Sequence, residues 1–468
     1  MASAGGPLPI ALRSISCVVL VAPLFACNDP AGVVEVSTAT ASGLTAVGVP
    51  GWELADTPTV VFHLSDGSPA AGTRVTWSVR EGGGSVRVLD SITDAAGQAR
   101  AIWALGSRPG MNRLAVSSVT GVSEEFVAMG DIFRADYVTS NEELACGLSA
   151  GDLWCWEPGG TDHLGLGGSV VSIGPDGQPA EAPVRVAAGR PLTEVAVART
   201  QVCGLDSTGA AWCSQELGQP FDQVAGLPPI RGLVSDQSTS GFGVNRFCGL
   251  AIADSTAWCW RRAEPAPLRL SGSPAFRKIW YSKSDGFGAF AVAYPDARGC
   301  GLLADSTAVC WGRGAPGDGS GAGGGLDSLV AVTGGQRFVE LAVGDRFSCG
   351  RTPIGEVWCW GGSGDAPEAF VPLLLRSDVR LIGSSVQEVL LYTTTRQFLM
   401  REGTYLPLWN SPEPSGYYQP PEGLEGLPVV RFGENSSDCV LLAGSEVYCS
   451  KASSFPPRHY LPVPPLRP

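Results

Sequence analysis

The feature that most constrains this chain is a phrase it repeats. A cysteine, a short small or apolar stretch and a turn lead to a second cysteine flanked by aromatic residues, most clearly in SCGRTPIGEVWCWGG at 348–362. Both cysteines are present in six copies: Cys146 and Cys155, Cys203 and Cys213, Cys248 and Cys259, Cys300 and Cys310, Cys349 and Cys359, and Cys439 and Cys449. First cysteines follow one another at steps of 57, 45, 52 and 49 residues, and a step of 90 then separates Cys349 from Cys439. That long step spans two periods. It contains LLYTTTRQFLMR, in which Leu390 and Met400 hold the two cysteine positions with the same spacing as Cys349 and Cys359. Joint replacement of both cysteines by apolar residues is the mark of two positions that touch each other.

A period of about 40 to 50 residues with turns and β-formers reads as one propeller blade, so six visible copies and the hidden one predict seven blades. Each copy has the grammar of a hairpin, with apolar, β-branched or aromatic residues on both sides of a Gly, Asp, Ser or Thr turn. In Trp-Cys-Trp at 154–156, 258–260 and 358–360, alternation sends both tryptophans to one face and the cysteine to the other. Eight of the 13 tryptophans lie in these hairpins, which points to core between blades rather than to ligand-stacking platforms.

The segments CGLLADSTAVCWGRG and ELAVGDRFSCG resemble the repeat of the regulator of chromosome condensation family in its cysteine-rich bacterial form, and GGTDHLGLGG at 159–168 resembles the glycine-rich loop of those repeats. The resemblance covers residues 131–468 and implies a seven-bladed β-propeller. It departs at Ser214 and Ser450, where the tryptophan is replaced, and in the cysteine-free sixth copy.

Residues 33–130 carry no cysteine. From Pro58 to Gly121 apolar and polar residues alternate between turn clusters, a β-sandwich signature. GTRVTWSV, GGGSV, TDAAGQA and ALGSRPG resemble segments of the bacterial immunoglobulin-like domains of invasin and intimin type, which implies core roles for Trp77 and Trp103. The expected fold class is therefore all-β, an immunoglobulin-like sandwich followed by a seven-bladed propeller. The proline-rich end of the chain reads as an outer strand of blade seven at 459–463, since proline suits only an edge.

Residues 1–26 read as an export signal, with Arg13 as the only charge and an apolar run from Ser14 to Ala26 too short to span a bilayer. Leu24-Phe25-Ala26-Cys27 resembles the lipobox, which implies lipidation of Cys27, an anchor linker at 27–32 and an outer-membrane lipoprotein; plain periplasmic or secreted export is the alternative. Of 14 cysteines, Cys17 lies in the signal and Cys27 would carry the lipid, leaving the twelve in the hairpins. In an oxidising compartment these are disulfides by default. Zinc is disfavoured because the cysteines of each pair are 9 to 11 residues apart and the chain has three histidines.

A net charge of −13 with three lysines supplies no basic face for phosphates, so nucleic acid is not an expected partner. Arg261-Arg262 is the one local basic patch singled out. The run GRGAPGDGSGAGGG at 312–325 lacks the Gly-Lys-Ser/Thr ending and the helix of a phosphate loop. His63, His163 and His459 fall in three separate places, and Asp254-Ser255-Thr256 and Asp305-Ser306-Thr307 occupy hairpin turns, where Asp and Ser bond to nearby backbone. No catalytic residue, cofactor or metal site is expected, and no ligand-binding residue is named by the sequence. The expected function is a non-enzymatic, lipid-anchored binding or adhesion module that takes protein, peptide or neutral glycan and touches the membrane only through its anchor. An extracytoplasmic enzyme, or an inhibitor-like propeller, is the competing reading.

Overall fold

The computed structural model describes residues 35–42, 45–141, 144–157, 168, 170–174, 177–198, 201–235, 246–261, 266–282, 298–312, 317–318, 329–344, 347–361, 371–384, 388–395, 398–402, 423–424, 426–433, 439–450 and 460–466. The expected signal and Cys27 lie outside them, as do His163 and His459. Every regular element among the described residues is a strand.

The N-terminal unit is built from two sheets. One orders the strands Val36–Ser42, Thr59–Leu64, Gln98–Ala104 and Glu53–Leu54, with Ser85–Val88 also on Gln98–Ala104; the other orders Thr45–Gly48, Ser123–Gly130, Gly110–Ser118 and Val75–Glu81. Burial alternates along Gln98–Ala104 and Gly110–Ser118, so alternate side chains meet in a shared core. Trp77 and Trp103 both lie in it, Trp77 against Phe126 with ring centroids 5.9 Å apart.

The rest of the chain forms seven further antiparallel sheets, at 137–186, 194–223, 230–269, 276–331, 340–376, 379–402 and 429–462. Each has four strands in chain order except the sixth, which has three. The first strand of each touches the first strand of the next, and the seventh sheet meets the first, which closes a ring. The fourth strand of blade seven is Tyr460–Pro462, paired with Val447–Ser450 where the proline-rich end was expected.

One backbone hydrogen bond recurs from blade to blade. The backbone N–H groups of Leu192, Ile230, Phe276, Phe338 and Val379 donate to the carbonyls of Gly151, Gly209, Ser255, Ser306 and Gly355 in the hairpin turn of the preceding blade, at 2.8–3.0 Å. Every acceptor has a positive φ, so the left-handed turn residue is what aims its carbonyl outward at the neighbour. The donor side chain then lands on the glycine that follows the first cysteine. A Cβ on Gly350 would stand 2.5 Å from Phe338, and one on Gly204 2.5 Å from Leu192, which explains why five of the six cysteine copies read Cys-Gly. In blades six and seven the corresponding position shrinks to valine, Val379 and Val429, while Leu391 and Val440 replace the glycine within the same clusters; Val429 N–H donates instead to Leu427, at 2.9 Å. A smaller anchor thus goes with a larger socket residue.

The ring closes with the same bond. Ala135 N–H donates to Ser445, also at positive φ, over 3.0 Å. Phe133 adds a donation to Val463 (2.9 Å) and accepts from Val447 (3.0 Å), and Arg134 pairs with Glu446. Residues 131–136 are therefore the clasp of the ring.

The N-terminal sheet also takes in strands from beyond residue 130. Within the connection that follows Trp156, the strands Val170–Ile173 and Pro179–Glu181 leave blade one and extend the N-terminal sheet, with Ser172 opposite Leu54 and Ile173 opposite Glu53. Val49 N–H donates to the Ser172 hydroxyl at 2.8 Å in a buried position, and Asp131 N–H to Gly48 at 3.0 Å.

Candidate functional site

Each interface between blades uses one formula, and the site is where the formula is incomplete. All six cysteine pairs face each other across the second and third strands and are disulfide-bonded, with Cα atoms 4.0–4.1 Å apart. Leu390 stands opposite Met400 in the same register. Six disulfides point to assembly in an oxidising compartment. Where the next blade has the tryptophan, the cysteine face of one blade packs against it: Cys300 and Cys310 lie with Trp360, and Cys439 and Cys449 with Trp156. Both faces of the alternating Trp-Cys-Trp strand are thus interface, one toward each neighbour.

The two tryptophans of the motif differ. Trp156, Trp260, Trp311 and Trp360 are buried in apolar cores, each 4.5–7 Å from a phenylalanine as aromatic pairs prefer: Phe133, Phe247, Phe276 and Phe338. Their indole N–H groups find no partner among the described residues. Trp212, Trp258 and Trp358 are half-buried and donate to their own hairpin turns, at Asp206 (2.9 Å), Thr256 (3.2 Å) and Glu356 (3.1 Å).

Blade two has Ser214 where others have the buried tryptophan, and its hydroxyl is spent on its own sheet, 3.2 Å from Val202 N–H and 3.3 Å from Val202 O. Its third-to-fourth connection is only Gln215–Pro220, six residues, and the apolar residue in it, Leu217, packs toward blade one. The opposite side of blade two packs Cys203 and Cys213 with Phe247 and Trp260 of blade three, and beside that cluster lies a cavity of about 260 Å³. Trp260 and Phe247 form the apolar wall, their rings stacked 6.1 Å apart, and Gln201 closes the floor with its Nε2 donating to Gln215 O at 3.2 Å. Asp222 and Arg261 bring opposite charges to the lining. The result is amphipathic, with an aromatic platform, neutral polar groups and no dominant sign of charge. It can hold a neutral segment of peptide or sugar size.

Of the residues singled out from sequence, Arg261 reaches this cavity, while Arg262 lies outside the described residues. Asp254 and Asp305 do not converge on any site. Asp254 Oδ1 accepts from Thr256 N–H (3.0 Å) and hydroxyl (2.7 Å), and Asp305 Oδ1 from Thr307 in the same way (3.0 and 2.6 Å). Those hydrogen bonds hold both carboxyls below their usual value. His63 lies in a strand of the N-terminal unit. Of the run 312–325, Gly312, Gly317 and Asp318 are described. Among the described residues no group of three His, Cys, Asp or Glu side chains could hold a metal. Sequence reading missed the cavity itself. Its only local signal is the brevity of SQELGQP between Cys213 and Phe221.

A family model of the regulator of chromosome condensation (RCC1) repeat matches residues 338–365, which carry Phe338, Gly350, the Cys349–Cys359 bond and Trp360. The ring is an RCC1-like β-propeller. Solved structures similar to this chain include human WBSCR16 (10% identity, TM-score 0.42, covering 59% of this chain and 78% of that one). Prp20p from Saccharomyces cerevisiae is 12% identical, with a TM-score of 0.42 over 60% of this chain and 75% of its own. Yeast RCC1 (Prp20) crystallised with Kap60 is 14% identical, with a TM-score of 0.43 over 71% and 87%. No curated protein matches the sequence.

Proposed function

We propose that this chain is a non-enzymatic, extracytoplasmic protein-binding module whose RCC1-like ring is the recognition head. The observation that carries the reading is a contrast between the two rims. On one rim the hairpin turns and blade-to-blade bonds repeat with little change. On the other, third-to-fourth connections range from six residues in blade two to 27 in blade one, at 157–183. A constant frame that carries connections of varied length suits recognition, in which the frame fixes position and the loops supply specificity. The amphipathic cavity between blades two and three opens among those connections. The acidic balance of the chain favours protein, peptide or neutral glycan over anionic polymers.

In the same proposal, the N-terminal unit is an immunoglobulin-like sandwich and Cys27 carries a lipid that anchors the protein in the cell envelope. The joint at Ser172 makes the sandwich a fixed bracket for the ring rather than a loose tether. The test is site-specific photo-crosslinking on the full chain, from Gln215 beside the cavity and from Val119, 72% exposed on the N-terminal unit. Adducts with a discrete protein are expected from Gln215. Adducts from Val119 alone would assign recognition to the wrong unit, and a Cys27→Ala chain that stayed membrane-bound would remove the lipid anchor.

A further inference from the structure

The N-terminal unit has two ends of different character. At the end toward the ring, Gly110 is paired with Gly130, and Val49 meets Ser172. The nine-residue strand Gly110–Ser118 runs from there to the far end, about 30 Å away. At that far end Val119 N–H donates to Arg74 O at 3.3 Å, and Arg74 bridges Ile92. Val88 and Leu89 lie on the chain just before Ile92. All four aliphatic side chains meet solvent, Val119 at 72%, Ile92 at 49%, Val88 at 44% and Leu89 at 42% exposure. The unit's other exposed large apolar side chains, Met111 and Met129, stand opposite each other at the ring end. On the described part of the ring such residues are spread over blades three, five and seven. Four aliphatics gathered on two adjoining segments mark a contact surface.

The entry of the chain says what lies against it. Ser65 N–H donates to Glu35 O at 2.9 Å, which places residue 35 beside the turn at 65–68. That turn leads to Ala70, whose carbonyl accepts the hydroxyl of Thr93, the neighbour of Ile92. The chain thus enters the unit at the same end as the aliphatic patch. Residues 27–34 are the covalent link from there to Cys27, and eight residues span no more than about 29 Å. So short a tether holds the patch at high effective concentration beside whatever receives the lipid, and a weak apolar contact then suffices.

We infer that the far end of the N-terminal unit rests on the bilayer surface, with Val119 and Ile92 at the boundary of headgroups and acyl chains. This is a second membrane contact beside the lipid on Cys27, and it rests on the proposed anchor. Glu35, Asp66 and Asp94 are exposed at the same end beside Arg74. Carboxylates are repelled by an anionic leaflet, so the surface this end fits is zwitterionic. Two contacts, unlike one tether, also hold the unit in one orientation.

The test reconstitutes the full chain, purified as the cell makes it, into phosphatidylcholine vesicles. A photo-crosslinking residue replaces Val119, Ile92 or, as a control of similar exposure on the ring, Ile354. Lipid adducts are counted by mass spectrometry. Val119 and Ile92 should each give at least about fivefold the yield of Ile354, and Val119→Asp should cut the yield from Ile92 about tenfold, whereas Val119→Leu should leave it unchanged. Phosphatidylglycerol vesicles should give about a third of the yield. Unchanged melting temperatures verify that the variants fold. Equal yields from Val119 and Ile354, no loss with Val119→Asp, a higher yield on phosphatidylglycerol, or protein adducts in place of lipid overturn the inference. If attachment requires Cys27 but Val119 gives no lipid adduct, the anchor stands and the second contact falls. If adducts persist in a Cys27→Ala chain, the contact stands without the lipid.

Discussion

Blades five and six are neighbours that solve one packing problem in two ways. In blade five the large Phe338 sits on Gly350, the Cys349–Cys359 bond clips the hairpin, and Trp360 fills the face toward blade four. In blade six the anchor is Val379, the glycine is Leu391, and Leu390 and Met400 hold the cysteine positions. The inter-blade bond survives unchanged, since Val379 N–H still donates to Gly355 at 3.0 Å. The comparison separates what the blade requires from what it can exchange. The hydrogen bond and a filled space between anchor and socket are kept in both. The crosslink and the particular split of volume between anchor and socket are not.

The largest test of that claim is Phe338→Ala, which empties the space between Gly350 and Trp360. It should cost about 3–5 kcal/mol, whereas Val379→Ala should cost about 2 kcal/mol, read from guanidinium unfolding midpoints. Equal losses would mean that blade five does not depend on its aromatic anchor. Next in size, joint Cys349→Ala and Cys359→Ala substitution should remove about 2–4 kcal/mol. Amide exchange in blade five should then rise to the level of blade six, where reductant changes nothing locally.

Gly350→Ala should cost about 1–3 kcal/mol by pressing a methyl group against Phe338. Adding Phe338→Val, which copies the blade-six split of volume, should recover most of that loss; simple additivity of the two would sink the volume argument. The smallest effect concerns the turns. The Asp254 and Asp305 carboxyls are held low by their threonine partners, so their contribution is present above the usual value of 3.8 and is lost as pH falls through the lower folded value. Melting temperature should decline more steeply below about pH 4 in the native chain than in an Asp254→Asn, Asp305→Asn chain. Coincident profiles would show that these carboxylates stabilise nothing.

Much of this architecture was legible because its causes are local. The Cys-to-Cys spacing, the Asp-Ser-Thr turns and the Trp-Cys-Trp alternation each act within one hairpin, and Leu390 and Met400 are found in register where the missing cysteines implied. The reason for the glycine after five of the six first cysteines is not local, because what it makes room for lies 12 to 25 residues upstream: Leu192 for Gly204, Phe276 for Gly301. The joint between Leu54 and Ser172 was out of reach for the same reason, since no local pattern says which edge a spare hairpin will cover. The cavity is hardest of all to read. It arises where a short loop leaves space beside the core between two blades, and alternation records what a strand buries, not what lies empty next to it.

The clasp at 131–136 also sets the order in which the molecule can be completed. Arg134 and Glu446 are 312 residues apart in the chain, so the first blade is made long before the strand that shields it. Such long-range pairing is slow to form, and apolar surface that waits for it is open to wrong partners. Until blade seven arrives, Phe133 and Trp156 lack the Leu441 and Val447 side that buries them. Meanwhile the hairpin at 170–181 already moors blade one to the N-terminal sheets, which belong to the first part of the chain to emerge. During synthesis the N-terminal unit therefore serves as a dock that holds one end of an open arc, and cooperative unfolding of the whole ring becomes possible only once residues 445–463 have been made.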